Sequence, residues 1–337
     1  MHVLRWPEPP DVARIEFVKS IRGPADLGAK RTFWEAISQA LGVTEGRRGL
    51  PIAQPADVEV SPDGKIIYVS DFAQGVVHVL DLGLGEVRYF GQGGALGRPF
   101  GLALDSAGNL WVAEQSNRQI RVIDPSGTTL RVIRSDHLVR PVDIALDEAR
   151  GRLYVADGSR QHLLDHHVHV FDLEGEYSHA LGTGRGTDPG ALLFPSYLAL
   201  DAAGNLYVSD TMNSRVTVFA EDGSFARTIG GRGDTFGLFD KPKGVAVDSF
   251  GNLYVVDSSW SNVQIFGPED HVLLYFGGRG SYPGLLRNPT GITIGPDNMI
   301  YVGDYLNRQI NIYRLVNTKS DDGVPLDEAP LASAEIN

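Results

Sequence analysis

The chain of 337 residues contains one sequence pattern that is repeated six times. A clear copy, KPKGVAVDSFGNLYVVD at residues 241–257, combines a proline-led turn, two short apolar runs and a central Asp-x-x-Gly-Asn turn. The apolar residues alternate with a period of two, which is typical of half-buried β-strands. The prolines that open the copies are Pro55, Pro99, Pro141, Pro195, Pro242 and Pro289. A period of about 42 to 54 residues with four strands predicts a propeller blade, and each blade must stack on the next to bury its faces.

Two copies carry the motif most fully, PSYLALDAAGNLYVSDTMNSRVTVF at residues 195–219 and PFGLALDSAGNLWVAEQSNRQIRVI at residues 99–123. Between about residues 14 and 315 the chain resembles the NHL-repeat family, whose pattern joins Pro-x-Gly, Asp-x-x-Gly-Asn and Tyr-Val-x-Asp. The resemblance implies an all-β fold, a six-bladed propeller of four-stranded antiparallel blades. It implies little about function, because NHL propellers serve as protein-binding, RNA-binding and occasionally enzymatic scaffolds.

The two ends of the repeat region predict how the ring closes. Residues 14–23, RIEFVKSIRG, align with the fourth strand of blade 4 at residues 224–231, but no first three strands precede them. The last repeat, in turn, has no fourth strand after residues 311–315. We therefore expect the N-terminal strand to complete blade 6, because this pairing removes two exposed sheet edges.

Three segments fall outside the repeats. Residues 1–13 are a proline-rich N-terminal arm, and residues 316–337 are an acidic stretch without periodicity that we expect to be a flexible tail. An insertion at about residues 32–42 has Thr32 and Glu35 in a capping box, with Phe33, Ile37 and Leu41 at i, i+4 and i+8. This pattern predicts one short helix packed on the propeller.

Composition disfavours several classes of function. The formal net charge of −12 argues against a general nucleic-acid binder, which normally presents a basic face. The chain has no cysteine, so it can form neither a disulfide nor a thiolate. No apolar run approaches the roughly 20 residues that a membrane span needs. The sequence WPEPP at residues 6–10 is typical of the start of a mature exported protein, which slightly favours the periplasm, cell envelope or exterior over the cytoplasm.

Side chains that recur in every blade are interpreted as architecture. An acid closes the second strand of each blade, where its carboxylate can accept backbone N–H bonds or pair with an arginine. These acids are Asp71, Glu114, Asp157, Asp210, Asp257 and Asp304. An aromatic residue stands three positions before each acid and is expected to pack between blades: Tyr68, Trp111, Tyr154, Tyr207, Tyr254 and Tyr301.

Function is sought where the blades differ. In a propeller, the loops that lead into the first strands and the loops between second and third strands share one face. The candidates on this face are Arg160, in an insertion of blade 3, and the non-repeated aromatic residues Phe72, Phe100, Tyr197, Trp260 and Tyr305. Aromatic side chains at a loop-rich rim suit a protein interface, although some of them can instead plug the channel. The sequence therefore favours a rigid scaffold that binds another protein and needs no cofactor.

A metal-dependent enzyme of the lactonase or lyase class is the alternative function. The blade 3 insertion places four histidines and an aspartate in residues 162–169, and His162 and His166 among them can either ligate a divalent ion or belong to a polar loop. Asp57 and Asp143 stand where other blades have glycine or Tyr197, and by analogy with lactonase-like propellers they are a calcium-type pair. The sequence has no Gly-x-Ser-x-Gly elbow and no His-Glu-x-x-His pair. An RNA-binding propeller is a second alternative, which the acidic charge disfavours.

Overall fold

The computed structural model describes residues 4–27, 49–158 and 166–317, which form six antiparallel sheets arranged in a ring. The all-β, six-bladed propeller predicted from the repeats is therefore confirmed. The strand that begins with the repeat proline is the innermost strand of its blade, and neighbouring innermost strands contact one another around the whole ring. Within the described residues, no helix is long and apolar enough to cross a bilayer.

The strands follow the order of the repeats. Two strands precede blade 1, namely β1 (Arg5–Trp6) and β2 (Ile15–Ile21). Blade 1 contains β3 (Pro55–Val60), β4 (Ile66–Asp71), β5 (Val76–Asp81) and β6 (Glu86–Phe90). Blade 2 contains β7 (Pro99–Leu104), β8 (Leu110–Glu114), β9 (Gln119–Ile123) and β10 (Thr129–Arg134). Blade 3 contains β11 (Pro141–Asp147), β12 (Arg152–Asp157), β13 (Val168–Asp172) and β14 (Tyr177–Leu181).

The second half of the ring repeats this arrangement. Blade 4 contains β15 (Pro195–Leu200), β16 (Leu206–Asp210), β17 (Arg215–Phe219) and β18 (Phe225–Gly230). Blade 5 contains β19 (Pro242–Val247), β20 (Leu253–Asp257), β21 (Asn262–Phe266) and β22 (Val272–Gly277). Blade 6 has β23 (Pro289–Ile294), β24 (Met299–Asp304) and β25 (Gln309–Leu315). Short 3₁₀ turns cover Pro24–Leu27, Thr211–Asn213 and Pro296–Asn298.

Both ends of the chain contribute to blade 6, as the sequence predicted. Strand β2 pairs antiparallel with β25, so that Ile15 lies opposite Leu315. The Glu16 carboxylate accepts a hydrogen bond from Nε of Arg314 at 3.0 Å and so ties the two strands together. The structure adds one strand that the sequence did not predict, because β1 in the proline-rich arm pairs with β2.

The hydrophobic core is divided into six clusters. Each cluster contains one of the recurring aromatic residues, and all six of these residues are buried. The prediction that they pack between blades is therefore confirmed, since each cluster combines residues of two neighbouring blades. Burial of large aromatic surfaces between sheets is the main source of cohesion in such a ring.

The recurring acids hold the turns, as predicted. In blade 2 the Glu114 carboxylate accepts the backbone N–H of Gly97 at 2.7 Å and pairs with Nε of Arg121 at 2.5 Å. In blade 4 Asp210 accepts the N–H of Leu193 at 2.6 Å. A buried carboxylate with several donors is the strong, charge-assisted kind of hydrogen-bonded group, so these acids are structural.

Four sequence predictions fall on residues outside the described part of the chain. They are the short helix at about residues 32–42, the tail beyond residue 317, Arg160 and His162.

Candidate functional site

A cavity of about 460 Å³ lies on the ring axis and is bounded by the innermost strands of all six blades. We call it the channel. Its upper end is formed by Asp57, Asp143 and Tyr197. Each of them stands two positions after the repeat proline of its blade. Its lower end reaches Pro62 and Ser106, which are exposed residues in the turns after the innermost strands. The channel therefore opens on the face opposite to the predicted aromatic face.

Asp57 is a buried residue that joins three blades at the upper end of the channel. Its Oδ2 accepts the backbone N–H of Leu102 in blade 2 at 2.9 Å. Its Oδ1 lies against Gly291 of blade 6, where an added Cβ would collide with it. The absence of a side chain at Gly291 thus makes room for the aspartate, and this explains why an aspartate at this repeat position has a glycine at the same position of the preceding blade.

Asp143 has the same arrangement between blades 2, 3 and 4. Its Oδ2 accepts the N–H of Leu198 at 2.7 Å, and its Oδ1 lies where a Cβ on Gly101 would stand. Only 4% of the residue is exposed, and Oδ1 has no hydrogen-bond partner among the described residues. A buried carboxylate oxygen without a donor is costly when it is charged, so this carboxyl favours its protonated form.

A third acid, Glu59, projects into the channel from the same strand as Asp57. Alternate residues of a strand point to the same side, so the two side chains are about 6.6 Å apart along β3. Thr293 of blade 6 donates its hydroxyl to Oε2 of Glu59 at 3.2 Å. The channel wall therefore presents two carboxyl groups from the same side of β3.

Five acids line the channel: Asp105 and Glu148 in the turns at its lower end, and Asp57, Glu59 and Asp143 on its innermost strands. Burial raises the pKa of Asp57 from 3.8 to about 7. Burial, together with repulsion from Asp57, raises the pKa of Glu59 from 4.5 to about 8. For Asp143, burial and the charge of Asp57 raise the pKa well above 3.8. Among the described residues that line the channel there is no lysine, arginine or histidine, so no cation opposes this effect. Hydrogen bonds from Leu102 to Asp57 and from Thr293 to Glu59 oppose it only in part.

Tyr197 closes the channel at its upper end. The side chain is 3% exposed, and its hydroxyl donates to the carbonyl oxygen of Ala56 across the ring at 2.8 Å. Burial and the nearby acids raise its pKa well above 10, so the phenol remains protonated. Tyr197 therefore plugs the channel, which was the alternative that the sequence left open for some of the aromatic residues.

A second, smaller cavity of about 190 Å³ lies on the other side of Tyr197, and we call it the upper pocket. It is on the predicted aromatic face, because its walls come from the loops that lead into the innermost strands and from the loops after the second strands. Its lining residues include Phe100, Arg140, Phe194, Tyr197, Met212 and Lys243.

The remaining aromatic candidates are distributed around this face. Phe72 and Phe100 form an edge-to-face pair with centroids 6.0 Å apart, and Phe100 also contacts Tyr197 at 6.1 Å. Trp260 is 43% exposed, and its indole N–H donates to the carbonyl of Gly233 at 3.2 Å. Among the described residues, no ring contact joins Trp260 to Phe72 or Phe100. Of the five aromatic candidates, the structure therefore brings Phe72, Phe100 and Tyr197 together and leaves Trp260 apart. Tyr305, the last of this set, is partly exposed.

The metal candidates do not assemble into a site within the described residues. His166 is buried and accepts the backbone N–H of Phe194 through Nδ1 at 2.9 Å. In residues 4–27, 49–158 and 166–317, no three His, Cys, Asp or Glu side chains are close enough to hold a metal ion. Asp57 and Asp143 each use one oxygen for a backbone donor, so each has only its second oxygen left to offer a divalent ion.

Sequence reasoning missed Glu59 and Lys243, although the blade comparison contains a signal for both. Glu59 stands where the other five blades have alanine or threonine. Lys243 directly follows its repeat proline, where the other blades have only uncharged residues. A charged residue at a repeat position that is otherwise small or apolar is the signal that could have found them.

Comparison with known proteins supports the propeller fold and shows that part of the chain matches a family model. Residues 50–160 match the family model described as SMP-30/gluconolactonase/LRE-like region. The structure is similar to that of XC5397, a gluconolactonase from Xanthomonas campestris, with a TM-score of 0.59 and 18% identity over 93% of this chain and 100% of that one. It is also similar to virginiamycin B lyase from Staphylococcus aureus, with a TM-score of 0.57 and 13% identity over 78% of this chain and 96% of that one.

A sequence relative is the peptidylglycine alpha-amidating monooxygenase of Rattus norvegicus, 26% identical over 178 residues, or 48% of this chain. The match covers 18% of that protein, so this chain spans less than a fifth of its length. The family model that matches is not the NHL-repeat family, and that resemblance stays a prediction. The chain is thus a six-bladed β-propeller whose residues 50–160 match the SMP-30/gluconolactonase/LRE-like family.

Proposed function

We propose that this propeller is an enzyme that hydrolyses a small ester or lactone in its channel. The observation that carries the proposal is that three of the five acids lining the channel, Asp57, Glu59 and Asp143, stand on its innermost strands without a facing cation. Carboxyl groups whose pKa values are raised toward neutrality and separated from one another can serve as a general base and a general acid at the same pH.

Asp57 and Glu59 have the protonation states that this reaction needs. Because the pKa is about 7 for Asp57 and about 8 for Glu59, near pH 7.5 the first is mostly ionised and the second mostly protonated. The Asp57 carboxylate removes a proton from water while the water oxygen bonds to the carbonyl carbon. The tetrahedral intermediate then breaks its C–O bond, and the Glu59 carboxyl donates its proton to the leaving alkoxide. The product is a hydroxy acid, or an alcohol and an acid.

The likeness to gluconolactonase and lyase structures supports this proposal over a purely structural role, although at such identities it establishes the fold alone. The metal-dependent form of the alternative is not adopted, because the described residues offer no cluster of three His, Cys, Asp or Glu side chains for a metal ion. A ligand set that includes His162 remains a prediction.

The test is hydrolysis of a panel of γ- and δ-lactones and aryl esters by the full chain, followed with a pH indicator. We expect Asp57→Asn and Glu59→Gln each to lower kcat/KM by about 10²- to 10⁴-fold, the usual contribution of general acid–base catalysis. Activity should also peak between about pH 7 and pH 8, as the pKa values of Asp57 and Glu59 require. The matched control is Asp136→Asn, which changes an exposed aspartate remote from the channel and should leave kcat/KM unchanged. Turnover that survives both channel substitutions would refute the assignment.

A protein-binding scaffold is the second candidate function, and the exposure of Trp260 favours it. The indole is held by Gly233 in a fixed orientation, so little side-chain freedom is lost when a partner covers it. Trp260→Ala and Tyr305→Ala, at unchanged melting temperature, should weaken capture of a partner by about 2 kcal/mol each. Glutamate at Ala203, an exposed residue in a turn of the opposite face, should not. Phe250, in another such turn, packs on the core and so serves as a second control only if its variant keeps the melting temperature. If only the opposite-face substitutions abolish capture, the interface is on the channel side.

A further inference from the structure

The upper pocket differs in charge from the channel that lies below it. Its described lining residues include two cations, Arg140 and Lys243, and no aspartate or glutamate. The channel has the reverse composition, with acids and no bases among its described lining residues. Tyr197 lines both cavities and separates them, so the ring axis carries a basic compartment on one side of the tyrosine and an acidic one on the other.

The walls of the upper pocket are largely apolar, and three of the eleven lining residues are aromatic. Phe100 and Phe194 line it together with the side chain of Met212. Phe100 is fixed by ring contacts to Phe72 and Tyr197, while Phe194 is fixed by an edge contact to His166 with centroids 4.9 Å apart. Such walls can stack on a flat ligand without first having to become ordered.

Lys243 provides the charged group of the upper pocket. Its Nζ donates to Oδ1 of Asn288 at 3.2 Å, and within the described residues it forms no ion pair with a carboxylate. Burial and the charge of Lys241 lower the pKa of Lys243 to about 8, while Asp257 opposes this effect weakly. A cation that is held in apolar surroundings with N–H groups to spare gains more from an incoming anion than an exposed lysine does.

We propose that the upper pocket binds a small aromatic carboxylate, with its carboxylate on Lys243 and its ring against Phe100 and Phe194. Arg140 also lines the pocket, where its Nη1 donates to the carbonyl oxygen of Gly158 at 3.3 Å. A volume of about 190 Å³ is smaller than the roughly 300 to 1,000 Å³ of pockets for drug-sized ligands, so the ligand has a single ring. This site is independent of the reaction proposed for the channel.

The test is calorimetric titration of the full chain with three ligands of similar shape: cinnamate, cinnamamide and phenethylamine. Cinnamate should bind about 10- to 100-fold more tightly than the amide, because a hydrogen bond to a charged group contributes about 1.5 to 3 kcal/mol. Phenethylamine should bind more weakly still. Binding of the amine or the amide as tightly as cinnamate would overturn the proposal, and this comparison needs no variant protein.

Substitutions at Lys243 then test whether its charge binds the carboxylate of cinnamate. Lys243→Gln should weaken cinnamate binding by about 10- to 100-fold, whereas Lys243→Arg, which keeps the cation, should retain most of it. The matched control is Lys241→Gln, two residues away and exposed, which should have little effect. Asp57→Asn should also leave binding intact, and this result separates the upper pocket from the channel. Equal loss in the Lys241 and Lys243 variants would refute the proposed site.

Discussion

Replacing Asp57 by asparagine should make the protein more stable at high pH. The asparagine side chain has nearly the same shape, and its oxygen can still accept the N–H of Leu102 that Asp57 accepts at 2.9 Å. It cannot ionise, however, so it stays in the neutral form that the buried site favours. The variant therefore removes the cost of placing a negative charge at the upper end of the channel, together with the repulsion that this charge exerts on Glu59 and Asp143.

The size and sign of the effect follow from the pKa of Asp57, which folding raises from 3.8 to about 7. The folded protein binds this proton more tightly than the unfolded chain, so the aspartate lowers the stability progressively as the pH rises from about 4 to about 7. At 1.36 kcal/mol per pH unit, the full cost is about 4 kcal/mol above pH 8. The advantage of Asp57→Asn should therefore grow by about 3 kcal/mol between pH 4.5 and pH 8.

Urea unfolding of both proteins at pH 4.5, 6 and 8 measures this difference through the midpoint, provided that the slopes agree. The control Asp136→Asn changes an exposed aspartate and should track the wild-type protein at each pH. A constant stability difference between Asp57→Asn and wild type across this range would refute the reasoning, since it would mean that Asp57 ionises normally in the folded ring. A growing deficit of the variant would refute it more strongly.

Three further outcomes test the architecture. Gly291→Ala adds a Cβ that collides with the blade 1 aspartate and should destabilise the ring by about 1 to 3 kcal/mol in urea unfolding. Gly231→Ala should not, because its Cβ would lie at an ordinary contact distance of 3.8 Å from Leu238. Tyr197→Phe removes the hydrogen bond that crosses the channel and should lower the free energy of unfolding by about 1 kcal/mol. Deletion of residues 1–22 removes β2 and should cause aggregation or a large fall in melting temperature, and a truncated protein that melts like the full chain would contradict the closure of blade 6.

The sequence was sufficient for the fold because the determinants of each blade are local. A proline, two alternating apolar runs and a turn recur in every copy, and the surplus strand at one end matches the gap at the other. The two-residue strand β1 could not be predicted, since a segment this short has no periodicity. Its position depends on pairing with Glu16 and Ile15, which only the folded ring supplies.

The candidate site could be predicted only in part. Comparison of the blades identified Asp57 and Asp143 as departures from the repeat, and their burial follows from the glycines beside them. What could not be read from the sequence is that Oδ1 of Asp143 lacks a partner or that Tyr197 reaches Ala56 across the ring. Both facts depend on distances between blades, which are set by packing around the whole ring rather than by neighbouring residues.

Because blade 6 combines β2 with β25, the ring cannot close until residue 315 has been synthesised. Glu16 and Arg314 are 298 residues apart in sequence, so bringing them together costs a large loop-closure entropy. We therefore expect their contact to form late. Blades 1 to 5 can stack as they leave the ribosome. During this time β2 lacks its partner β25, so the edge of β2 that pairs with β25 is exposed. A chain released before residue 315 therefore forms an open arc, and the first strand of that arc is free to pair with a neighbouring molecule.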